Sequence, residues 1–286
     1  MQSLDRRTAS NGVSYLHRGG EAAPFVFLHG IGSRASSFAP LIEALDPRRA
    51  AIAWDAPGYG SSAPLAGDWP LARDYAQALE ALLFELEIDG AILAGHSLGT
   101  LMAASHARHF GRRLSGVALI SPALGFGAPD GGPLPQGARA RLDELETLGV
   151  AAYAAKRAPQ LVHRPQAQSA LVEELAETMA TLSQPGYGQA VRMLACGRLL
   201  EDVAQTRLPF LVICGEEDTV TPPAMARRAE AAIRSARDAS DVRLALVPAA
   251  GHMVHLEAKE AVASLLRELA ATVDTPKVGR PTCDRP

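Results

Sequence analysis

Six short apolar runs punctuate the chain: FVFLHG (25–30), AAIAWD (50–55), AILAGH (91–96), GVALIS (116–121), FLVICG (210–215) and VRLALVP (242–248). Their length and their flanking glycines or prolines favour buried strands over helices. Between them the apolar period changes. Leu71, Tyr75, Ala78, Leu79, Leu82 and Leu86 recur at helical spacing, with Asp68 just upstream as a candidate cap. Val262, Leu265, Leu266, Leu269 and Val273 do the same near the C-terminus, and Thr221-Pro222 reads as a capping hydroxyl followed by a first-turn proline. Strands that are apolar throughout and alternate with helices predict an α/β fold, a mostly parallel sheet covered on both faces. GVSYLHRG (12–19) is expected to add an antiparallel edge strand.

The alternation breaks once. After Ser121-Pro122 a glycine- and proline-rich stretch, ALGFGAPDGGPLPQG, leads into mostly helical sequence up to about Gln205, and then the strand pattern resumes. Residues 122–206 are therefore expected to form a helical cap inserted into one core made of 1–121 and 207–274. Residues 275–286 are expected to be a disordered tail. Within the cap, SQPGY (183–187) reads as a turn between helices. Leu145, Leu148, Tyr153, Met179, Leu182, Met193 and Leu194 read mainly as packing between cap and sheet.

Composition removes several function classes. Of 286 residues, 48% are hydrophobic and 21% charged, with net charge −3, so the chain is an ordinary globular one with no polyanion-binding surface and no expected nucleic-acid partner. No apolar run approaches the length needed to span a bilayer, and the start lacks a signal-peptide core. Cys196, Cys214 and Cys283 are odd in number and lack metal-ligand spacing, which predicts reduced thiols, a cytoplasmic location and no metal.

Candidate chemistry begins at ILAGHSLGTLMAASHA (92–107), where a strand gives way to a helix across Gly95-His96-Ser97-Leu98-Gly99. A serine on such a bend points its side chain outward, and the helix start offers the Leu98 N–H to a developing oxyanion. A serine nucleophile requires a base. Among eight histidines, His252 lies just past the last predicted strand. His255 is its main competitor, otherwise read as a polar residue at a helix start. His96 is expected to point away from the bend, and His106 and His109 to run off along the helix. An orienting carboxylate is available in CGEEDTVTPP, where Asp218 is favoured over a solvated Glu216 and Glu217.

LHGIG (28–32), DAPGYGSS (55–62), GHSLG (95–99) and the pair GEEDTVTPP and GHMVHLE together resemble the α/β-hydrolase fold superfamily over residues 12–273. The resemblance implies a Ser97, Asp218, His252 triad, an oxyanion hole from the backbone N–H groups of Ile31 and Leu98, and no cofactor. It also implies that Asp55, Gly58 and Gly60 form a structural turn. Serine at position 97 argues against the dehalogenases and epoxide hydrolases of this fold, which carry aspartate there. The branch most resembled contains 3-oxoadipate enol-lactonases, small carboxylesterases and haloperoxidase-like enzymes. It implies a hydrolase of small-molecule carboxylic esters or lactones. Carbon–carbon bond hydrolysis of ring-cleavage products and a non-catalytic ligand-binding role are the alternatives. Lys156, Arg157, His163, Arg164 and Arg192 are the cap cations that could meet an anionic substrate, though solvated helix faces account for them more simply.

Overall fold

The computed structural model describes residues 3–236 and 242–274. The expected tail at 275–286, with Cys283, lies outside the described residues. In chain order the strands are β1 (Asp5–Thr8), β2 (Ser14–Arg18), β3 (Ala22–Leu28), β4 (Arg49–Trp54), β5 (Ala91–His96), β6 (Leu114–Ile120), β7 (Phe210–Gly215) and β8 (Val242–Val247). The helices are α1 (Ala39–Ala44), α2 (Ala72–Glu85), α3 (Gly99–Phe110), α4 (Gln136–Arg157), α5 (Ser169–Met179), α6 (Gly186–Cys196), α7 (Leu199–Ala204), α8 (Pro223–Ser235), α9 (Val254–Glu257) and α10 (Lys259–Asp274).

The strands form one eight-stranded sheet in the order β1-β2-β4-β3-β5-β6-β7-β8, parallel from β4 to β8 and antiparallel at β1 and β2. All six apolar runs are strands of this sheet. Successive residues of each strand serve opposite faces. Val26, Leu28, Ile52, Trp54 and Leu93 pack with α2, α3, α7 and α8. Phe25, Phe27, Ala51, Ala53 and Ile92 pack with α1, α9 and α10. Each face is a closed apolar layer, and burying one such Phe, Leu or Ile contributes about 1.5–3 kcal/mol.

Three local expectations are corrected. GVSYLHRG holds the antiparallel β2, but β2 is not the edge, because β1 pairs outside it. Strand β1, Asp-Arg-Arg-Thr, is exposed throughout and has no hydrophobic pattern to reveal it. It is tied down by charge, through Arg6 to the buried Asp55. At α2, Asp68 is not the cap; the Leu71 N–H donates to Asp74 Oδ2 at 2.7 Å, within the first turn. At α8 the cap position falls to Pro222 and the first-turn proline is Pro223, one residue later than expected, so Thr221 does not cap the helix.

Between β6 and β7 the chain forms α4–α7. Helix α4 is broken at Gly149, whose φ of 72° no helix tolerates. Residues of α4, α5 and α6 share an apolar cluster with Met253, and Ile31 packs against it, so the insertion sits over the carboxyl end of the sheet. Of its apolar residues, Leu148 is exposed rather than packed. No helix among the described residues is long and apolar enough to cross a membrane.

Asp55 is fully buried and accepts from the Ala35 N–H (2.8 Å) and Ser14 Oγ (3.1 Å) as well as Arg6. Asp55→Ala is expected to cost about 3 kcal/mol in urea unfolding. Arg6→Ala, at a half-exposed side chain, should cost less than about 1 kcal/mol.

Candidate active site

At the end of β5 the chain turns so sharply that Ser97 has φ +51°, a left-handed conformation costing about 1–3 kcal/mol. The Ser97 N–H donates to Ile120 O of β6 at 2.9 Å, and Ser97 O accepts from both the N–H and the hydroxyl of Thr100. The flanking glycines have a steric cause. A Cβ on Gly99 would lie 2.1 Å from Leu28 O, and one on Gly95 would lie 2.4 Å from Gly99 O. Helix α3 can start this close to β3 only if both positions lack side chains.

Three loops at the carboxyl end of the sheet converge on Ser97. Its Oγ lies 3.0 Å from His252 Nε2, and His252 Nδ1 lies 2.9 Å from Asp218 Oδ2. Because Nδ1 faces a carboxylate, the neutral ring carries its proton there and Nε2 accepts from the serine hydroxyl. All three residues are buried. Asp218 Oδ1 accepts from the N–H groups of Val220 and Thr221, each at 2.9 Å. Burial works to raise the Asp218 carboxyl, but His252 and the Thr221 N–H outweigh it and hold the group below its ordinary value. Glu216 and Glu217 are exposed, as their sequence reading expected.

Thr221 is a participant that sequence reading assigned to a helix cap. Its Oγ1 stands 2.9 Å from Asp218 Oδ2, 3.0 Å from Ser121 O and 3.1 Å from His252 Nδ1. The hydroxyl has one proton, so it donates to the carboxylate or to the Ser121 carbonyl.

The other histidines are structural neighbours. His29 Nε2 accepts from the Ala56 N–H at 3.0 Å, so its Nδ1–H donates to Gly30 O at 2.9 Å and braces the turn before Ile31. His96 does not simply point away: it is 2.9 Å, through Nε2, from the backbone carbonyl of His252 and steadies that loop. His255 is fully buried between Phe38 and His96, not at a solvated helix start, and neither ring nitrogen has a hydrogen-bond partner. Burial, reinforced by the other histidines, holds His96 well below its ordinary pKa, and burial pushes His255 down to about 3. His106 is also buried, within reach of Glu80, and is pushed down to about 3 by burial and then Arg113.

Two clefts meet at Ser97. One, about 550 Å³, is lined by Ile31, Arg141, Tyr153, Arg157, Tyr187 and His252 among others. The second, about 730 Å³ with the space at its open mouth included, has Leu98, Leu124, Phe126, Leu194 and Met225 among its lining residues. Ile31, Ser97 and Arg141 border both. The N–H groups of Ile31 and Leu98 donate no backbone hydrogen bond among the described residues. Of the five expected cap cations, only Arg157 lines a cleft. Lys156 pairs with Glu144, His163 donates its backbone N–H to Glu257, Arg164 is exposed and Arg192 lies over Trp69. Arg141 was not anticipated, because nothing distinguishes it from the neighbouring arginine Arg139 in GARARLDEL.

The model of the alpha/beta hydrolase family matches residues 25–265. The chain belongs to that family. Among curated relatives, it is 30% identical over 260 residues to a dihydrolipoyllysine-residue acetyltransferase component of an acetoin cleaving system from Pseudomonas putida, covering 87% of this chain but only 64% of that protein. It is 27% identical to (E)-2-((N-methylformamido)methylene)succinate hydrolase from Acinetobacter baylyi, covering 92% and 95% of the two chains. It is 27% identical to 3-oxoadipate enol-lactonase 2 of the same organism, over 68% of this chain and 72% of that one. Among solved structures, an enol-lactonase from Burkholderia xenovorans superimposes with TM-score 0.81 at 22% identity, over 93% of this chain and all of that one. At that identity the likeness establishes the hydrolase fold.

The buried neutral histidines fix the sign of a pH effect. An unfolded chain takes up protons near pH 6.5, while His106 and His255 in the folded chain refuse them until about pH 3. Stability should be full above about pH 7 and fall as pH drops below 6.5, by about 1.4 kcal/mol per pH unit for each such histidine. Urea midpoints between pH 7.5 and 5 measure this, and His255→Leu should remove one histidine's share of the slope.

Proposed function

We propose that this alpha/beta hydrolase cleaves carboxylic esters or lactones through an acyl-enzyme on Ser97. The observation that carries the reading is the unbroken hydrogen-bond relay from Ser97 Oγ through His252 to Asp218, with Ser97 at the meeting of two clefts. Relatives named as an enol-lactonase and as a pimeloyl-[acyl-carrier protein] methyl ester esterase lend support to an ester or lactone bond as the target.

In the proposed reaction the Ser97 hydroxyl attacks the carbonyl carbon as its proton passes to His252 Nε2. The resulting imidazolium is stabilised by Asp218, whose lowered carboxyl stays ionised. The oxyanion is held by the Ile31 and Leu98 N–H groups, each contributing about 3 kcal/mol to the transition state. His252 then returns the proton to the leaving alkoxide. In the second half it takes a proton from water, which attacks the acyl carbon and releases the acid and Ser97. Helices α4–α7, within residues 122–206, act on this reading as the lid that selects substrates, over a core of 1–121 and 207–274.

A serine-directed fluorophosphonate is expected to label Ser97, and purified protein to hydrolyse a short p-nitrophenyl ester. Ser97→Ala should abolish labelling and reduce kcat by at least about 10⁴-fold. Asp218→Asn, which leaves His252 without its anionic partner, should reduce kcat by about 10⁴-fold. Binding of substrates without turnover, with unlabelled Ser97, would instead identify a ligand-binding protein with an idle triad.

A further inference from the structure

Both clefts at Ser97 have a charge sign opposite to that of the chain. Acidic residues outnumber lysine and arginine, 31 to 28, yet among the described residues the clefts are lined by Arg141, Arg157 and Arg228 and by no aspartate or glutamate. Arg141 is the one cation that borders both clefts. Many arginines elsewhere are neutralised: Arg6, Arg49, Arg108, Arg113 and Arg243 each meet a carboxylate. Arg141 meets none within ion-pair distance among the described residues, and nearby Glu144 is engaged by Lys156. The guanidinium instead faces the Tyr187 hydroxyl, a neutral group.

A guanidinium presents a rigid fork of donors suited to a carboxylate. Arg141 is partly buried, faces a phenol, and shares the nearby Glu144 carboxylate with Lys156 and Arg157, so positive charge is in excess there. The tyrosines extend the same surface. Tyr153 and Tyr187 hydroxyls are 2.5 Å apart, so one donates to the other and the second proton remains free for an acceptor. Arg157, at the same cleft, donates to the neutral Gln160 and shares the influence of Glu144 with Lys156 and Arg141. The second cleft, with Ala123, Leu124, Phe126, Leu194 and Met225, offers apolar contact.

We propose that the substrate carries a carboxylate remote from the scissile bond, bound by Arg141 with Arg157 and the Tyr153–Tyr187 pair, while its uncharged part occupies the apolar cleft. The inference rests on the hydrolase reading and narrows its substrates to half-esters of dicarboxylic acids and carboxylated lactones. Arg141 is then the residue that sets specificity, acting mainly on KM.

The test compares p-nitrophenyl half-esters of succinate, glutarate and adipate with their methyl-capped counterparts. At least one half-ester should exceed its capped partner by about tenfold or more in kcat/KM, carried by KM. Arg141→Gln should lower that ratio at least about tenfold, and Arg141→Lys, which keeps the charge but not the fork, should retain part of it. Equal kcat/KM within every pair, or an Arg141→Gln effect that is equal on both members, overturns the proposal. Calorimetry of glutarate and adipate on Ser97→Ala reads the subsite without turnover, with binding expected there and lost on adding Arg141→Gln. Binding without any ester hydrolysis sinks the hydrolase reading alone, whereas neutral-ester hydrolysis without a charged preference or dicarboxylate binding sinks this one alone.

Discussion

Close approach of backbone at the β5–α3 turn governs the rest of the molecule. Gly99 sits against the Leu28 carbonyl and Gly95 against Gly99, with no room for a methyl group at either. That contact brings helix α3 under the end of β3 and forces Ser97 into its left-handed conformation. The strain is contained because the peptide groups of Ser97 are fully engaged, its N–H by Ile120 and its carbonyl by Thr100. The same packing sets Leu98 beside Ile31, since the turn after β3 is the surface that α3 abuts. One steric condition thus positions the serine side chain and both candidate oxyanion donors.

Histidines supply a second layer of order by remaining neutral. His29 fixes the Gly30 carbonyl and His96 engages the His252 carbonyl, so one braces the loop carrying Ile31 and the other the loop carrying His252. A charged His96 would stand beside two further imidazoles, and burial already disfavours that form. The imidazole backed by a carboxylate in this cluster is His252. That ring is also the one that faces Ser97, which is what the proposed mechanism needs of it.

The fold was legible because its signal is redundant. Five of the six apolar runs bury both faces in the sheet, the edge strand β8 being half-buried with Arg243 exposed, and each can be recognised without the others. The bend at Ser97 was legible for a related reason: glycines excluded by backbone contact leave a spacing in the sequence. What remained hidden depends on pairing across the fold. Strand β1 has no apolar residue and is held by an ion pair to Asp55, some fifty positions away. Thr221 carries the sequence marks of a helix cap, yet the carboxylate three residues before it takes its hydroxyl. Arg141 differs from Arg139 only in which way α4 turns it, and α4 is packed against both α5 and α6. His255, polar in sequence, is buried because Phe38 and His96 close over it.

The loop bearing His252 is also joined to the helical insertion through Glu257, the last residue of GHMVHLE. Its Oε1 accepts from the Gly251 N–H at 3.0 Å and its Oε2 from the His163 N–H at 2.8 Å, with Gln168 Nε2 at 3.3 Å. Met253 adds a backbone bond to Leu161 at 3.1 Å. Hydrogen bonds to a charged carboxylate are worth about 1.5–3 kcal/mol each, more than neutral ones. The residues on either side of His252 are therefore held to the 161–168 segment about as firmly as to their own loop. Movement of that segment away from the sheet would have to break these bonds or carry Gly251 and Met253 with it. Since His252 lies between them, the loop that carries the base and the proposed lid are mechanically joined.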